Sequence, residues 1–394
     1  MFTKNDTFNQ IMQTTPIRRA IGNLFPSCWL ERIPPEHYGY TMSRVEKEDR
    51  MEWGVPFISD SFVECANILM DTADSQRFGF VPLWKEAHPS AAFDPANAPD
   101  SRIPDADTNC ADGVWLFTAN PDVDPAAFAH LPAAGSVPPY PSTAVSAQKK
   151  QAAAVRPAVI LCPGGGYEML SYYSEGIQLA QRMERDGGYK AFVLNYRVTP
   201  NEYPLPQMDL ALAILHVRTY AEWYRIDPKR ILIVGASAGG HLCASEALLH
   251  EDLKREVIAE LNDKNRTKAA SAYADHSARP DGIGLLYPVI SFLSEYHEGS
   301  CLNLTGQRES LREVLSVEKH ITAAYPPTYA FSNADDGAVP VSNTRRLNEA
   351  LDQAGVTHLC EVFPSGDHGV GLGYSCSCRE WSEHMLAFFE RLFQ

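Results

Sequence analysis

The run Ile231-Leu232-Ile233-Val234-Gly235-Ala236-Ser237-Ala238-Gly239-Gly240-His241 places a serine at the centre of Gly-x-Ser-x-Gly. An apolar, β-branched stretch precedes it and a small-residue helical pattern follows. A strand that feeds a tight turn and then a helix lifts a serine hydroxyl to the end of a sheet as a nucleophile. Such a turn strains the backbone at the serine and draws strand and helix together, so the flanking positions must be small. Gly235 and Gly239 meet that need.

A serine hydroxyl is a weak nucleophile and needs a base within hydrogen-bond reach, itself oriented by an acid. With this elbow the expected chain order is Ser, acid, His. His368 follows an apolar strand pattern and sits among glycines in Ser365-Gly366-Asp367-His368-Gly369-Val370-Gly371, as suits a loop bringing an imidazole over the elbow. The acid comes from Asn333-Ala334-Asp335-Asp336-Gly337-Ala338-Val339-Pro340. The Asp-x-x-Val-Pro spacing favours Asp336, with Asp335 as the alternative that the residues leave open. His241 reads as a packing residue beside the elbow and His384 as part of a final helix face. His320 and His358 have no supporting context.

Acyl transfer also needs donors for a developing oxyanion. Cys162-Pro163-Gly164-Gly165-Gly166-Tyr167 follows an apolar run, and its glycines let backbone N–H groups approach a substrate oxygen. The expected donors are the N–H groups of Gly165 and Gly166, joined by Ala238 after the serine. A phosphate-cradling loop is the rival reading, but no Lys-Ser/Thr follows and G-x-G-x-x-G spacing is missing.

These segments need ends of strands to stand on. Apolar runs at 113–117, 158–162, 189–196, 231–234, 282–289, 327–332 and 356–363 read as strands. Helical patterns fall at 62–70, 175–185, 210–224, 238–250, 344–354 and 378–393. Alternating strands and helices predict an α/β fold whose mostly parallel sheet is covered on both faces, with ligands at the carboxyl ends of strands. Residues 132–154, rich in Ala, Pro and Ser, read as a loop or linker. The chain divides into an N-terminal extension, 1–110, expected to act as a cap, wall or oligomer contact, and a catalytic domain, 111–394.

The chain has 394 residues, 45% of them hydrophobic, enough for a large core. A net charge of −15 argues against nucleic acid or an anionic membrane as partner. No apolar stretch approaches the roughly 20 residues needed to span a bilayer. Met1-Phe2-Thr3-Lys4-Asn5-Asp6 lacks the apolar centre of a secretory leader, so a cytoplasmic location is expected. The nine cysteines show no CxxC spacing and read as reduced thiols, Cys162 and Cys243 in the core. Trp29, Trp53, Trp84 and Trp115 would suit a carbohydrate-binding module but fit core packing better. Between 251 and 279 the charges Lys254, Arg255, Glu256, Glu260, Asp263 and Lys264 suggest a solvated insertion rather than an apolar lid, which favours short acyl groups on a polar alcohol.

Pro163-Gly164-Gly165-Gly166-Tyr167, Ser174-Glu175-Gly176, Asn195-Tyr196-Arg197-Val198, Asp227-Pro228-Lys229-Arg230, Gly235-Ala236-Ser237-Ala238-Gly239-Gly240-His241, Tyr287-Pro288-Val289-Ile290 and Asp367-His368-Gly369 fall in order along the chain. Together they resemble the bacterial acetylesterase and acetylxylan-esterase-like α/β-hydrolases, which include feruloyl-esterase-like members. The resemblance covers about 110–394. It implies an α/β-hydrolase fold and a serine carboxylic-ester hydrolase that removes short acyl groups, acetyl above all, from small-molecule or oligosaccharide esters. It implies no metal and no organic cofactor, and self-association into a homo-oligomer is compatible with it. Another short-chain or feruloyl carboxylesterase, or a peptidase on the same fold, is the enzymatic rival. A non-catalytic binding protein is a weaker one, given the complete set of Ser237, Asp336 and His368.

Overall fold

The structure, a computed structural model, describes residues 2–14, 35–48, 63, 66–67, 78–84, 114–119, 155–373 and 376–393. Its centre is a sheet of eight strands: β1 (Phe78–Pro82), β2 (Trp115–Ala119), β3 (Arg156–Cys162), β4 (Lys190–Asn195), β5 (Ile226–Ala236), β6 (Gly282–Leu286), β7 (Thr328–Asn333) and β8 (His358–Phe363). The spatial order is β1-β2-β4-β3-β5-β6-β7-β8. From β4 to β8 every neighbouring pair is parallel, whereas β1 and β2 are antiparallel additions at one edge. The parallel strands are short apolar runs because helices cover both of their faces. β1, which precedes residue 110, pairs along its length with β2, which follows it.

The strand order also locates a crevice. From β3 the chain moves outward to β4, then returns across β3 to β5, so the loops leaving β3 and β5 diverge at adjacent strand ends. Such a reversal opens the cleft in which α/β sheets bind ligands. The glycine loop leaves β3 and the Ser237 elbow leaves β5.

The helices are α1 (Phe8–Gln13), α2 (Met42–Glu48), α3 (Gln178–Gly187), α4 (Leu205–Thr219), α5 (Ala221–Tyr224), α6 (Ala238–Asp263), α7 (Thr267–Ala274), α8 (Glu298–Thr305), α9 (Glu309–Val314), α10 (Ser342–Ala354) and α11 (Trp381–Phe393). Strand register shows which face each covers. Gly282 and Gly284 of β6 lie opposite Leu232 and Val234 of β5, and side chains of α11, Phe389 and Met385, fill the space over both glycines. Gly235, the next residue along β5, faces the other way and touches the backbone of Gly239 in α6. On the first face, α3 joins α11 through Arg182, 3.1 Å from both Ser382 Oγ and Glu383 Oε1. On the second, α4 lies against α6, with Gln207 Nε2 donating to Ser245 Oγ at 3.2 Å.

Among the elements the sequence does predict, three helices differ from expectation for local reasons, and β1 (Phe78–Pro82) is a strand it does not predict. The helix expected at 210–224 begins earlier, at Leu205, with Pro206 in its first turn where a missing N–H costs nothing. It breaks at Tyr220, which leaves helical geometry before α5. The helix expected at 238–250 runs on to Asp263, because Leu253, Val257 and Leu261 continue a buried stripe at four-residue spacing. The stretch read as a solvated insertion is therefore the rear of α6 followed by α7, with its charges on the outward side. The helix expected at 175–185 opens with a π-helical turn, Tyr173–Ile177. Of the helix expected at 62–70, Val63, Ala66 and Asn67 are described and helical. The linker at 132–154, Trp29 and Trp53 lie outside the described residues. Among those residues, no helix is long and apolar enough to cross a membrane.

Trp84 belongs to the core. It is buried, and its indole N–H donates to Asp209 Oδ1 at 2.7 Å. Arg197 binds the same carboxylate through Nη2 at 2.7 Å, and through Nε and its own backbone N–H, both at 2.9 Å to Oδ2. This pair ties the end of β4 to α4 and to Trp84, two residues beyond β1. Removing one partner strands a buried charge, so Asp209→Ala should lower the free energy of unfolding by about 3–5 kcal/mol in urea titrations. A loss under about 1 kcal/mol contradicts that role.

His241, in the first turn of α6, is wholly buried. Its Nδ1 accepts the Tyr167 hydroxyl at 2.9 Å and its Nε2 donates to Leu315 O at 2.8 Å, with the ring tilted against Phe292. Burial holds its pKa down at about 4. An unfolded histidine titrates near pH 6.5, so between these values the unfolded chain binds the extra proton. Stability from the neutral ring is then complete above pH 6.5 and drains away as pH falls toward 4. Between pH 7 and 4.5 the wild type should lose about 2–3 kcal/mol more than His241→Gln, measured by denaturant titration at each pH. Equal losses contradict it.

Candidate active site

The elbow forms because the backbone has no room for anything else. Ser237 has φ 53° and ψ −118°, a conformation that a residue with a side chain adopts only under constraint. Its N–H donates to Leu286 O at 2.9 Å, and its carbonyl accepts Val289 N–H at 3.1 Å, so β6 and the turn after it clamp it on both sides. A Cβ at Gly239 would stand 2.0 Å from the carbonyl oxygen of Cys162. Only glycine permits α6 to start this close to the end of β3.

The structure brings Ser237, His368 and Asp336 into one hydrogen-bonded line. His368 Nε2 is 2.8 Å from Ser237 Oγ, and its Nδ1 is 2.7 Å from Asp336 Oδ2. An ionised carboxylate only accepts, so Nδ1 carries the proton and Nε2 is the acceptor facing the serine. Asp336 has no exposed side-chain surface, and its Oδ1 takes the backbone N–H groups of Ala338 (3.0 Å) and Val339 (2.8 Å). Asp335 has a different task. Its Oδ1 accepts N–H from Gly366 (2.9 Å) and Asp367 (3.0 Å), which fixes the loop that carries His368. Asp367 returns the tie through Gly337 N–H. The two adjacent aspartates thus divide into one that meets the imidazole and one that holds its loop.

The glycine loop leans on the elbow. A Cβ at Gly164 would lie 2.9 Å from Ser237 Cβ, and Gly165, at φ +132°, would collide with Met169 O. The N–H groups of Gly165, Gly166 and Ala238 have no hydrogen-bond acceptor among the described residues. These three N–H groups sit on the two segments that meet at the serine.

Residues to which the sequence reading gave no role complete the site. Glu175, in the π-helical turn, is buried. Its Oε2 accepts Gly164 N–H and its Oε1 accepts the Tyr287 hydroxyl, both at 2.8 Å. Burial pushes its carboxyl above the usual carboxylate range, against these two hydrogen bonds and the nearby His368. Tyr287 Oη in turn accepts Gly371 N–H at 3.1 Å, and the tyrosine ring meets His368 edge-on at 4.9 Å between centroids. Asn303 and His297, from α8 and the residue before it, reach Gly166. Glu175 and Tyr287 stood inside recognisable motifs; His297 had no signal beyond the serine three residues on. His320, His358 and His384 are engaged elsewhere, with Glu313 O, Val356 O and Glu361 respectively. Among the described residues, no group of three or more His, Cys, Asp or Glu side chains could hold a metal ion.

The arrangement can deprotonate a serine hydroxyl, hold the resulting imidazolium and offer N–H groups to an anionic oxygen. Residues 145–351 match the BD-FAE family profile. The acetylxylan esterase of Xylanibacter ruminicola is 31% identical over 226 residues, covering 55% of this chain and 41% of that protein. Endo-1,4-beta-xylanase B of Butyrivibrio fibrisolvens is 34% identical over 233 residues, covering 58% of this chain and 34% of that protein. The chain thus spans well under half the length of these curated relatives. Among solved structures, the acetyl ester-xyloside bifunctional hydrolase of Caldicellulosiruptor lactoaceticus is 30% identical with a TM-score of 0.57, covering 79% of this chain and 96% of that one. With its profile match spanning more than half the chain, and with its parallel sheet and elbow, the chain belongs to the BD-FAE family of α/β-hydrolase fold.

Proposed function

We propose that the protein is a serine carboxylic-ester hydrolase that removes short acyl groups, acetyl foremost, from carbohydrate esters. The observation that carries this reading is the line from Ser237 Oγ through His368 to Asp336, at 2.8 and 2.7 Å. His368 Nε2 takes the serine proton as Oγ attacks the ester carbonyl, and Asp336 holds the ring and balances its charge. The oxyanion that forms accepts from the N–H groups of Gly165, Gly166 and Ala238. The carbonyl then re-forms, the C–O bond to the alcohol breaks, and the alcohol leaves with the proton from His368. Water, deprotonated by the same imidazole, releases the acid and restores Ser237. Relatives named as an acetylxylan esterase and as an acetyl ester-xyloside hydrolase support acetyl groups on a sugar as the substrate class.

Replacing Ser237 by Ala removes the nucleophile while keeping the backbone. Turnover of p-nitrophenyl acetate should fall by at least about 10⁴-fold, with the melting temperature within a few degrees of wild type. Activity above a tenth of wild type in that variant would rule out the assignment. Glu175→Ala leaves Gly164 N–H and the Tyr287 hydroxyl unpaired behind the glycine loop. It should lower kcat on the same ester about 10–100-fold with a smaller change in KM, and Glu175→Gln should recover part of the loss. Equal kcat in all three proteins would show that Glu175 does not position the loop.

A further inference from the structure

His297 takes no part in the acyl transfer, yet it borders the place where that transfer would occur. It precedes α8 and caps it, its Nδ1 accepting Ser300 N–H at 3.1 Å, with the Ser300 hydroxyl 2.8 Å from the same nitrogen. A backbone N–H only donates, so in the neutral ring Nδ1 is bare and the proton resides on Nε2. Burial lowers the pKa of His297, and the charge of His368 lowers it further against the opposing pull of Asp336. The ring therefore remains a neutral donor at ordinary pH. Its Cε1, bonded to Nε2, lies 3.6 Å from the position of a Cβ on Gly166. Asn303, six residues further along, donates to Gly166 O at 2.9 Å and holds the two segments together. The Nε2–H has no acceptor among the described residues, and the side chain is only half-buried.

We propose that His297 is a substrate-binding residue that sets alcohol specificity, its Nε2–H donating to a hydroxyl or ring oxygen of a polyol leaving group such as a sugar. The proposal rests on the esterase reading. An acetyl group has one strong acceptor, its carbonyl oxygen, and the glycine loop and Ala238 receive that oxygen. The remaining acceptors on a carbohydrate acetate all belong to the alcohol. That alcohol must leave past His368, which protonates it, and His368 is the group whose charge is felt at His297. A neutral donor there binds oxygen without adding a second positive charge beside the imidazolium.

The experiment compares the 394-residue wild-type chain with His297→Asn and His297→Ala on two acetates, p-nitrophenyl acetate and a mono-acetylated methyl xyloside. Asparagine is a strong N-cap and keeps the tie to Ser300 N–H while removing the Nε2 donor; alanine removes both. In both variants the ratio of kcat/KM for the sugar ester to that for the phenyl ester should fall about tenfold, one hydrogen bond's worth. An unchanged ratio in both overturns the proposal, and so does a ratio lost in His297→Ala but kept in His297→Asn, which assigns the residue to capping alone. Wild type that cleaves the phenyl ester but not the sugar ester also overturns it, leaving the hydrolase reading intact. If neither ester is cleaved and a fluorophosphonate fails to label Ser237, the hydrolase reading itself falls, and this proposal with it.

Discussion

Everything around the site follows from how closely α6 begins against the ends of β3 and β5. Gly235 and Gly239 carry no side chains where backbone from the neighbouring segment fills the space, and this contact leaves Ser237 no conformation but a strained one. The strain is held by β6 and its turn, through Leu286 O and Val289 N–H. A larger residue at either glycine would push the helix away, relax the serine into ordinary geometry and turn its hydroxyl from the crevice. The same approach leaves the first N–H groups of α6 without helical partners, as at any helix start. The constraint that strains the serine therefore also supplies an electropositive helix end beside it.

The elbow alone would not fix the rest of the site, because its partners arrive on separate loops. Two carboxylates tie those loops together. Asp335 binds the segment before His368 to the end of β7, and Glu175 links the glycine loop to Tyr287, which reaches Gly371 beyond His368. The histidine loop and the glycine loop are thus held by hydrogen bonds, exposed where Asp335 makes them and buried where Glu175 and Tyr287 do; loss of the buried ones would leave donors unpaired. A burial-raised carboxyl pKa at Glu175 costs little here, since Gly164 N–H and the Tyr287 hydroxyl both donate to it. The Glu175–Tyr287 support is shielded from water, whereas Asp335 holds its loop at the surface.

What could be read in the residues followed from local rules. Apart from β1 (Phe78–Pro82), the strands are legible as apolar runs, and the elbow as glycine beside serine, because both depend on neighbours in sequence. Asp335 and Asp336 were separable only by preference, since two acids in one turn differ in function through partners some thirty residues away. The sequence pattern ends α6 too early because its charged rear hides a buried stripe of Leu253, Val257 and Leu261. His297 could not be seen at all. Its position depends on α8 returning to the glycine loop, a contact that Asn303 and Gly166 make across distant parts of the chain.

Three imidazoles surround the elbow, and their settings decide which one can act as a base. His241 has both nitrogens committed, to Tyr167 and Leu315 O, and burial keeps it neutral down to about pH 4. A proton added there would have no carboxylate to meet and would break the hydrogen bond from Tyr167. His297 has Nδ1 occupied by a donor, so its free nitrogen can give a hydrogen bond but cannot take a proton without giving up its cap. His368 alone has a carboxylate on one nitrogen and the serine hydroxyl on the other. It can accept a proton on Nε2 and find its new charge already paired. Three chemically identical rings thus differ through the group placed behind each of them, and His368 is the one whose setting suits the proposed role of base.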